Sequence, residues 1–442
     1  MRELRGRLKN YMDNMAANNH FTGSVLVGYK GEILLKEGYG KASFQYDIQN
    51  KAATKFRVGS ITKAFTAMAI LILHEEGKLD ISKTIQNIFP EYPGGDRITI
   101  RHLLTHTAGI PNFTGSPEYW ANQMRLPSTL GQLIQSFKDI PLDFQPGERM
   151  EYSNSGYLLL TSMIEKVSGM TYAEFLDRTI LKKLNLKNTG VDNGRTIIKS
   201  LSTGHTVWKD VIHTEFIDMS FPLGAYGLYS TAEDLYRWTQ ALMNNEFLSD
   251  NLQNQMFTGS EHEYAYGWFK NGENHVSHFG DINGFASNID LYLDKELAVI
   301  VLSNINITPV TQISGDLANM VLGRPVKEVN KTSPLNVMQS PGIFAGSYKS
   351  GNTEIQISLE NDLYAIVPKM YGVPYKLKLV PVSEASGQVM FHGEFIRDQY
   401  IFQINSEGSV ESLDFEDCHG RKASYVPKYV EAVSTQRGIE GF

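Results

Sequence analysis

Leu4, Leu8, Tyr11 and Met15 return every third or fourth position near the start of the chain and predict an amphipathic helix. Two apolar runs follow, Ser24-Val25-Leu26-Val27 and Ile33-Leu34-Leu35, on either side of Tyr29-Lys30-Gly31-Glu32, which predicts a hairpin across Gly23 to Gly40. Ala64, Ala67, Met68, Ile70, Leu71 and Ile72 then predict a long helix that begins near Ser60 and is capped by Gly77. Leu158, Leu159, Leu160, Met163, Ile164 and Val167 predict a second buried helix, starting beside Ser155 and stopping at Gly169. Later the pattern becomes strand-like. Ile289-Asp290-Leu291-Tyr292-Leu293 and Leu297-Ala298-Val299-Ile300-Val301-Leu302, separated by Asp294-Lys295-Glu296, read as a hairpin of a central sheet, and Ala318 to Leu322 as a closing helix.

Helices on both sides of a mainly antiparallel sheet, with strands from both chain ends, give an α+β class. This part is expected to occupy residues 1–330. Between Val326 and Pro341 the chain turns polar and proline-bearing, as a linker does. About eight short strands follow, among them Glu354 to Leu359, Leu363 to Val367, Tyr375 to Val382, Tyr400 to Ile404 and Val410 to Phe415. Turn signals at Gly351-Asn352, Glu360-Asn361-Asp362 and Glu407-Gly408 space them as in a small all-β barrel or sandwich, expected over residues 340–435.

A length of 442 residues suits two or three domains, and 42% hydrophobic with 20% charged residues is globular composition. Lys and Arg total 41 against 48 Asp and Glu, a net charge of −7, so there is no basic field for nucleic acid. The single cysteine, Cys418, has no partner for an internal disulfide. No Cys/His ligand spacing appears, so no metal is expected, nor any cofactor. His102 and His106 lie four apart but lack a nearby Glu, a pattern that favours buried hydrogen bonding over metal ligation. Basic residues at Arg2 and Arg5 precede no apolar core of a secretory signal, and the stretch Ala64 to Leu73 is too short to span a bilayer. The expectation is a protein of the cytoplasm with no integral membrane segment, acting on a small molecule or peptide. Oligomeric state stays open.

Three short motifs carry the chemistry. In Ser60-Ile61-Thr62-Lys63 the three-residue spacing along a helix puts Lys63 on the face of Ser60. A serine hydroxyl needs a base within hydrogen-bond reach, and a lysine desolvated among Ala64, Phe65, Ala67 and Met68 has a depressed pKa and can be that base. The plainer reading is a helix-capping serine followed by a solvated lysine. Glu151-Tyr152-Ser153-Asn154 sets Tyr152 and Asn154 on one side of an extended segment before a helix. There Tyr152 can relay a proton and Asn154 can meet a substrate amide; alternatively they are a packed tyrosine and a helix cap. Ser277-His278-Phe279-Gly280-Asp281 has a glycine that lets a strand edge approach a ligand, and a backbone N–H there could pair with that of Ser60 as an oxyanion hole. Its bland counterpart is a glycine-rich turn with a surface histidine. The order of the three motifs favours the chemical reading.

In that order the chain resembles the serine β-lactamase and penicillin-binding-protein superfamily, specifically the class C β-lactamase, DD-peptidase and esterase branch, over roughly residues 5–325. Phe56-Arg57-Val58-Gly59, Leu103-Leu104-Thr105-His106-Thr107-Ala108-Gly109-Ile110, Gln145-Pro146-Gly147 and Tyr266-Gly267-Trp268 support it. The resemblance implies Ser60 as acylated nucleophile, Lys63 and Tyr152 as proton-transfer pair, and Asn154, His278, Gly280 and Asp281 as substrate-binding positions. The N–H groups of Ser60 and Asp281 would hold the oxyanion. His278 and Phe279 depart from the Lys-Thr-Gly of efficient β-lactamases, and a neutral imidazole holds a carboxylate less well than an ammonium does. From Phe344-Ala345-Gly346-Ser347-Tyr348 onward the chain resembles the lipocalin-like barrel appended to such hydrolases, whose role could be to cap the cleft, bind a hydrophobic ligand or mediate assembly. The reading is a serine hydrolase of a small ester or amide, D-amino-acid-containing peptides included. Its rivals are a penicillin-binding DD-carboxypeptidase or weak β-lactamase, and a non-catalytic binding or cell-envelope regulatory protein.

Overall fold

Val25 and Val27 point into one apolar cluster and Leu26, between them, into another, so the strand that carries them is covered on both faces. That strand, β1 (Gly23–Tyr29), joins β2 (Glu32–Tyr39) through Lys30 and Gly31. Both turn residues have positive φ, 50° and 76°, as a two-residue turn that matches strand twist requires. The computed structural model describes residues 1–329, 331, 335, 339–367, 375–385 and 387–428. It divides into two compact units, Met1–Thr206 with Ile212–Asn330, and Val207–Val211 with Lys331–Phe442. Part of the expected linker, and the stretch 429–435 of the expected barrel domain, lie outside the described residues.

In the first unit β3 (Phe269–Gly272), β4 (His275–Ile282), β5 (Phe285–Tyr292) and β6 (Leu297–Ser303) complete a six-stranded antiparallel sheet in the order β3-β4-β5-β6-β1-β2. Strands from both chain ends therefore meet at the β6–β1 pair, with Val25 opposite Val301. Helix α1 (Arg2–Ala17) covers one face with Leu8, Tyr11, Met12 and Met15. On the other face lie α2 (Thr62–Glu75), α3 (Asn154–Ser168) and α4 (Ala232–Met243), in the cluster that also takes Leu26, Ile300 and Leu302. Every residue of α2 from Thr62 to Leu73 is buried, the state of a helix apolar on all sides. Each large apolar side chain there contributes on the order of 1.5–3 kcal/mol. Gly77 (φ 69°) ends α2 as predicted, its N–H on His74 O and that of Lys78 on Leu73 O, and Gly169 (φ 70°) ends α3.

The closing helix is longer than its pattern suggested. It is α5 (Val310–Val321), not Ala318 to Leu322, because buried Ser314 interrupts the apolar stripe and hydrogen-bonds Asp290 of β5. Among the described residues no helix is long and apolar enough to cross a membrane.

Among the described residues the C-terminal part of the second unit forms eight strands, β7 (Gly346–Ser350), β8 (Thr353–Leu359), β9 (Leu363–Val367), β10 (Tyr375–Ala385), β11 (Gln388–Gly393), β12 (Gln399–Ile404), β13 (Val410–Glu416) and β14 (Lys422–Pro427). Each pairs antiparallel with the next, and β14 pairs with β7, which closes the barrel. Alternate residues such as Ile355, Ile357, Val389, Phe391, Tyr400 and Phe402 fill it. Phe344, from the turn before β7, adds its ring 5.1 Å from Phe391 and 4.9 Å from Phe402.

Candidate active site

Gly59 sits at φ 52°, and a Cβ there would lie 2.7 Å from the amide nitrogen of Asp281, so only glycine lets this turn press against β4. The turn, Gly59–Ile61, carries a part-exposed Ser60 onto the start of α2. Thr62 locks it: its hydroxyl donates to Gly59 O at 2.7 Å and accepts from Leu228 N–H at 3.0 Å. One helical turn after Ser60, Lys63 is 0% exposed. Its Nζ lies 3.1 Å from Ser60 Oγ, 2.7 Å from Asn154 Oδ1 and 2.8 Å from Ala225 O. None of these partners is charged, and burial holds the amine well below the usual lysine range.

Asn154 opens α3, with Ser153 before it in extended conformation. The segment delivers Tyr152 beside the same lysine, Nζ being 4.7 Å from the Tyr152 ring centre and 5.5 Å from that of Tyr157. Aromatic faces favour a cation and burial favours the neutral amine; with Lys63 fully enclosed, desolvation is the larger effect. Tyr152 stacks on Phe269 at 6.1 Å and lies tilted against His106 at 4.2 Å. His106 is buried, as its spacing predicted, with Nδ1 accepting from Ser153 N–H at 3.2 Å. His102 faces Thr99 N–H in a capping box instead.

Gly280 and Asp281, on β4, run beside the nucleophile turn: a Cβ on Gly280 would meet Val58 O and come within 3.1 Å of Ser60 N. Ser287 of β5 fixes this approach by donating to Val58 O at 2.8 Å. The backbone amides of Ser60 and Asp281 are thus neighbours at one edge of the site. His278 is placed differently from a surface histidine. It is 0% exposed, its Nδ1 is 2.7 Å from Phe279 O, and its Nε2 is 2.8 Å from the Tyr264 hydroxyl. A carbonyl oxygen only accepts, so Nδ1 carries the proton and Nε2 accepts from Tyr264. Burial, then the charge of Lys63, pushes this imidazole down to about 3. Both ring nitrogens are therefore engaged within the protein.

Ser60, Lys63 and Asn154 are joined by direct hydrogen bonds, Tyr152 by its ring, and Gly280 and Asp281 by backbone proximity. Sequence reasoning missed Ala225, which acts through a carbonyl and so leaves no side-chain signal, and Tyr264. It also missed Asn112 and Thr114, which contact Asn154 from a loop distant in the chain. Tyr119 and Phe221 are buried and packed together at 5.8 Å. Among the described residues no group of three or more His, Cys, Asp and Glu could hold a metal ion.

Comparison with known proteins places the chain in a family. A profile of the Beta-lactamase family matches residues 8–320. Penicillin-binding protein 4* of Bacillus subtilis (strain 168) is 28% identical over 330 residues, 68% of this chain and 72% of its own length. Protein flp of Staphylococcus aureus (strain MRSA252) is 31% identical over 300 residues, 64% of this chain, and the match spans 59% of that relative. The octameric penicillin-binding protein homologue from Pyrococcus abyssi superposes with a TM-score of 0.65 at 25% identity, covering 95% of this chain and 99% of that one. With its matched span, its fold and its closed C-terminal barrel, the chain belongs to the β-lactamase and penicillin-binding-protein family of serine hydrolases.

Proposed function

We propose that the protein hydrolyses a small ester or amide, D-amino-acid-containing peptides among its substrates, through an acyl-enzyme on Ser60. The observation that carries this is the set of partners around Lys63. Asn154 Oδ1 and Ala225 O can only accept, so in a neutral Lys63 they take its two hydrogens and leave the lone pair for Ser60 Oγ. Lys63 then receives the Ser60 proton as Oγ attacks the substrate carbonyl. Negative charge on the carbonyl oxygen is met by the N–H groups of Ser60 and Asp281. Collapse breaks the bond to the leaving amine or alcohol, which takes a proton from the Lys63–Tyr152 pair, and water activated near Tyr152 then releases the acid and restores Ser60.

The rival, a DD-carboxypeptidase or weak β-lactamase, is favoured by the names of the relatives and disfavoured by His278. A hold on a substrate's terminal carboxylate calls for a cation, and this imidazole is neutral, enclosed and doubly bonded. The test is intact-protein mass after incubation with a penicillin, beside hydrolysis of p-nitrophenyl acetate and D-alanine p-nitroanilide, for wild type and Ser60→Ala. Ester or anilide turnover lost in Ser60→Ala, with no lasting penicillin adduct and the penicillin left unhydrolysed, is the expected result. A stable adduct on wild type alone moves the assignment to the penicillin-binding rival, and full turnover by Ser60→Ala overturns the scheme.

A further inference from the structure

The side-chain amide of Asn154 helps Lys63 only in one of its two orientations, with Oδ1 toward the amine. The other would turn an NH2 group on it. What selects the orientation can be followed from a group whose role cannot change. The backbone N–H of Asn154 is only a donor, and it lies 3.1 Å from Asn112, so the Asn112 atom it meets is Oδ1. The same Oδ1 also lies 3.1 Å from Thr114 Oγ1, and being an acceptor it takes the threonine's one hydroxyl hydrogen. Thr114 Oγ1 is left with lone pairs alone. Those face Asn154 at 2.9 Å, so the Asn154 atom there is the donating Nδ2, and Oδ1 is turned to Lys63 at 2.7 Å.

Thr114 is 8% exposed, and its carbonyl accepts from Trp120 Nε1 at 2.8 Å, which fixes the backbone that presents the hydroxyl. We infer that Thr114, set by Asn112, is a positioning residue: its hydroxyl selects the Asn154 amide orientation that leaves the Lys63 lone pair to Ser60. This rests on the reading of Ser60 and Lys63 as nucleophile and base. Among the described residues Thr114 makes no hydrogen bond to Ser60 or Lys63, so its influence runs through Asn154.

The test uses the full chain in four forms: wild type, Thr114→Val, Thr114→Ser and Ser60→Ala. Valine keeps the shape and loses the hydroxyl; serine keeps the hydroxyl. Two readouts are taken across pH, p-nitrophenyl acetate hydrolysis and the ¹³Cε resonance of Lys63 in lysine-labelled protein. In Thr114→Val the hydrolysis plateau should fall about tenfold or more, since the base no longer holds its lone pair on Oγ. Loss of the Oδ1 acceptor also removes support for the ammonium form, so the Lys63 titration and the limb of the rate profile should move to lower pH. Thr114→Ser should restore both.

A lower plateau with an unmoved Lys63 titration is the mark of a merely structural role and overturns the proposal, as does a serine variant that behaves like valine. If the Lys63 resonance shifts as expected while Ser60→Ala hydrolyses the ester as fast as wild type, the positioning by Thr114 stands and the assignment of Ser60 fails.

Discussion

Lys63 spends all its hydrogen-bonding capacity on neutral partners, and that sets its dependence on pH as well as its chemistry. In the unfolded chain its pKa is about 10.4, and folding lowers it, so below that value the unfolded state binds a proton that the folded state resists. Its contribution to stability is therefore greatest at alkaline pH and declines as pH falls toward the folded pKa. The stability of wild type relative to Lys63→Met should accordingly rise between pH 7 and pH 9 in urea denaturation, while the variant loses about 10²- to 10⁴-fold in ester hydrolysis. A flat difference across that range would show that Lys63 is a charged lysine in the fold. His278 follows the same logic at lower pH. Its imidazole is depressed to about 3 from a usual value of about 6.5, so stability is present above the unfolded pKa and drains away as pH falls toward the folded one. His278 alone should cost about 1.4 kcal/mol per pH unit in that window. His106, held well below its usual range by burial and then by Lys63, adds to the slope. His278→Gln should remove one proton's share of it, read as a shallower fall of the urea midpoint between pH 6 and pH 4.

At the scale of elements, the site is the place where three segments converge: the turn before α2, the start of α3 and the edge of β4. The glycine of β4 decides how closely the first and third approach. Gly280→Ala would set a methyl group against Val58 O and crowd Ser60 N, so the strand must retreat from the turn and the two amides separate. A loss of about 10²- to 10³-fold in kcat, the usual worth of one oxyanion donor, is expected with the fold retained by circular dichroism. Unchanged kcat would mean that the Asp281 amide takes no part. What the sequence revealed follows the same division. Helices α2 and α3 were legible because an apolar run and a terminal glycine are local signals, and Ser60 and Lys63 because one helical turn joins them. Helix α5 was underread because Ser314 and Asp290 form a buried polar pair between elements far apart in the chain. Asn154 was legible as a residue, but not the loop that orients it, since Asn112 and Thr114 gain their meaning only when the chain folds back on α3. His278 was read as a site residue from motif order alone. Its burial depends on Tyr264, which a strand pattern does not reveal.

At the scale of the molecule, each compact unit has a core of its own, and in the barrel unit closure does the work that helices do around the six-stranded sheet. The antiparallel meander pairs its first strand with its last, and its interior is occupied by Phe344, Tyr348, Phe391, Tyr400 and Phe402. Residues Val207–Val211 belong to the same unit, where Lys209 and Lys376 both pair with Glu360 and Trp208 bridges Lys376 by a single parallel contact. The exposed Lys209–Glu360 pair is worth about 0–1 kcal/mol, far less than the apolar interior it borders, while Lys376 is buried and belongs to the barrel strands themselves. The barrel's stability should therefore come from its eight strands and not from that added segment. Residues 339–428 expressed alone are expected to give a β-type far-UV circular dichroism spectrum and one cooperative urea transition, with m on the order of 1 kcal/mol per M. Glu360→Gln in that fragment should move the midpoint little, because the lysine from Val207–Val211 is absent and only Lys376 remains to pair. A fragment that is unfolded alone, and folds when a peptide covering 205–213 is added, would reverse the argument: the added strand, with its pairing to Lys376, would then be part of the barrel's minimal fold.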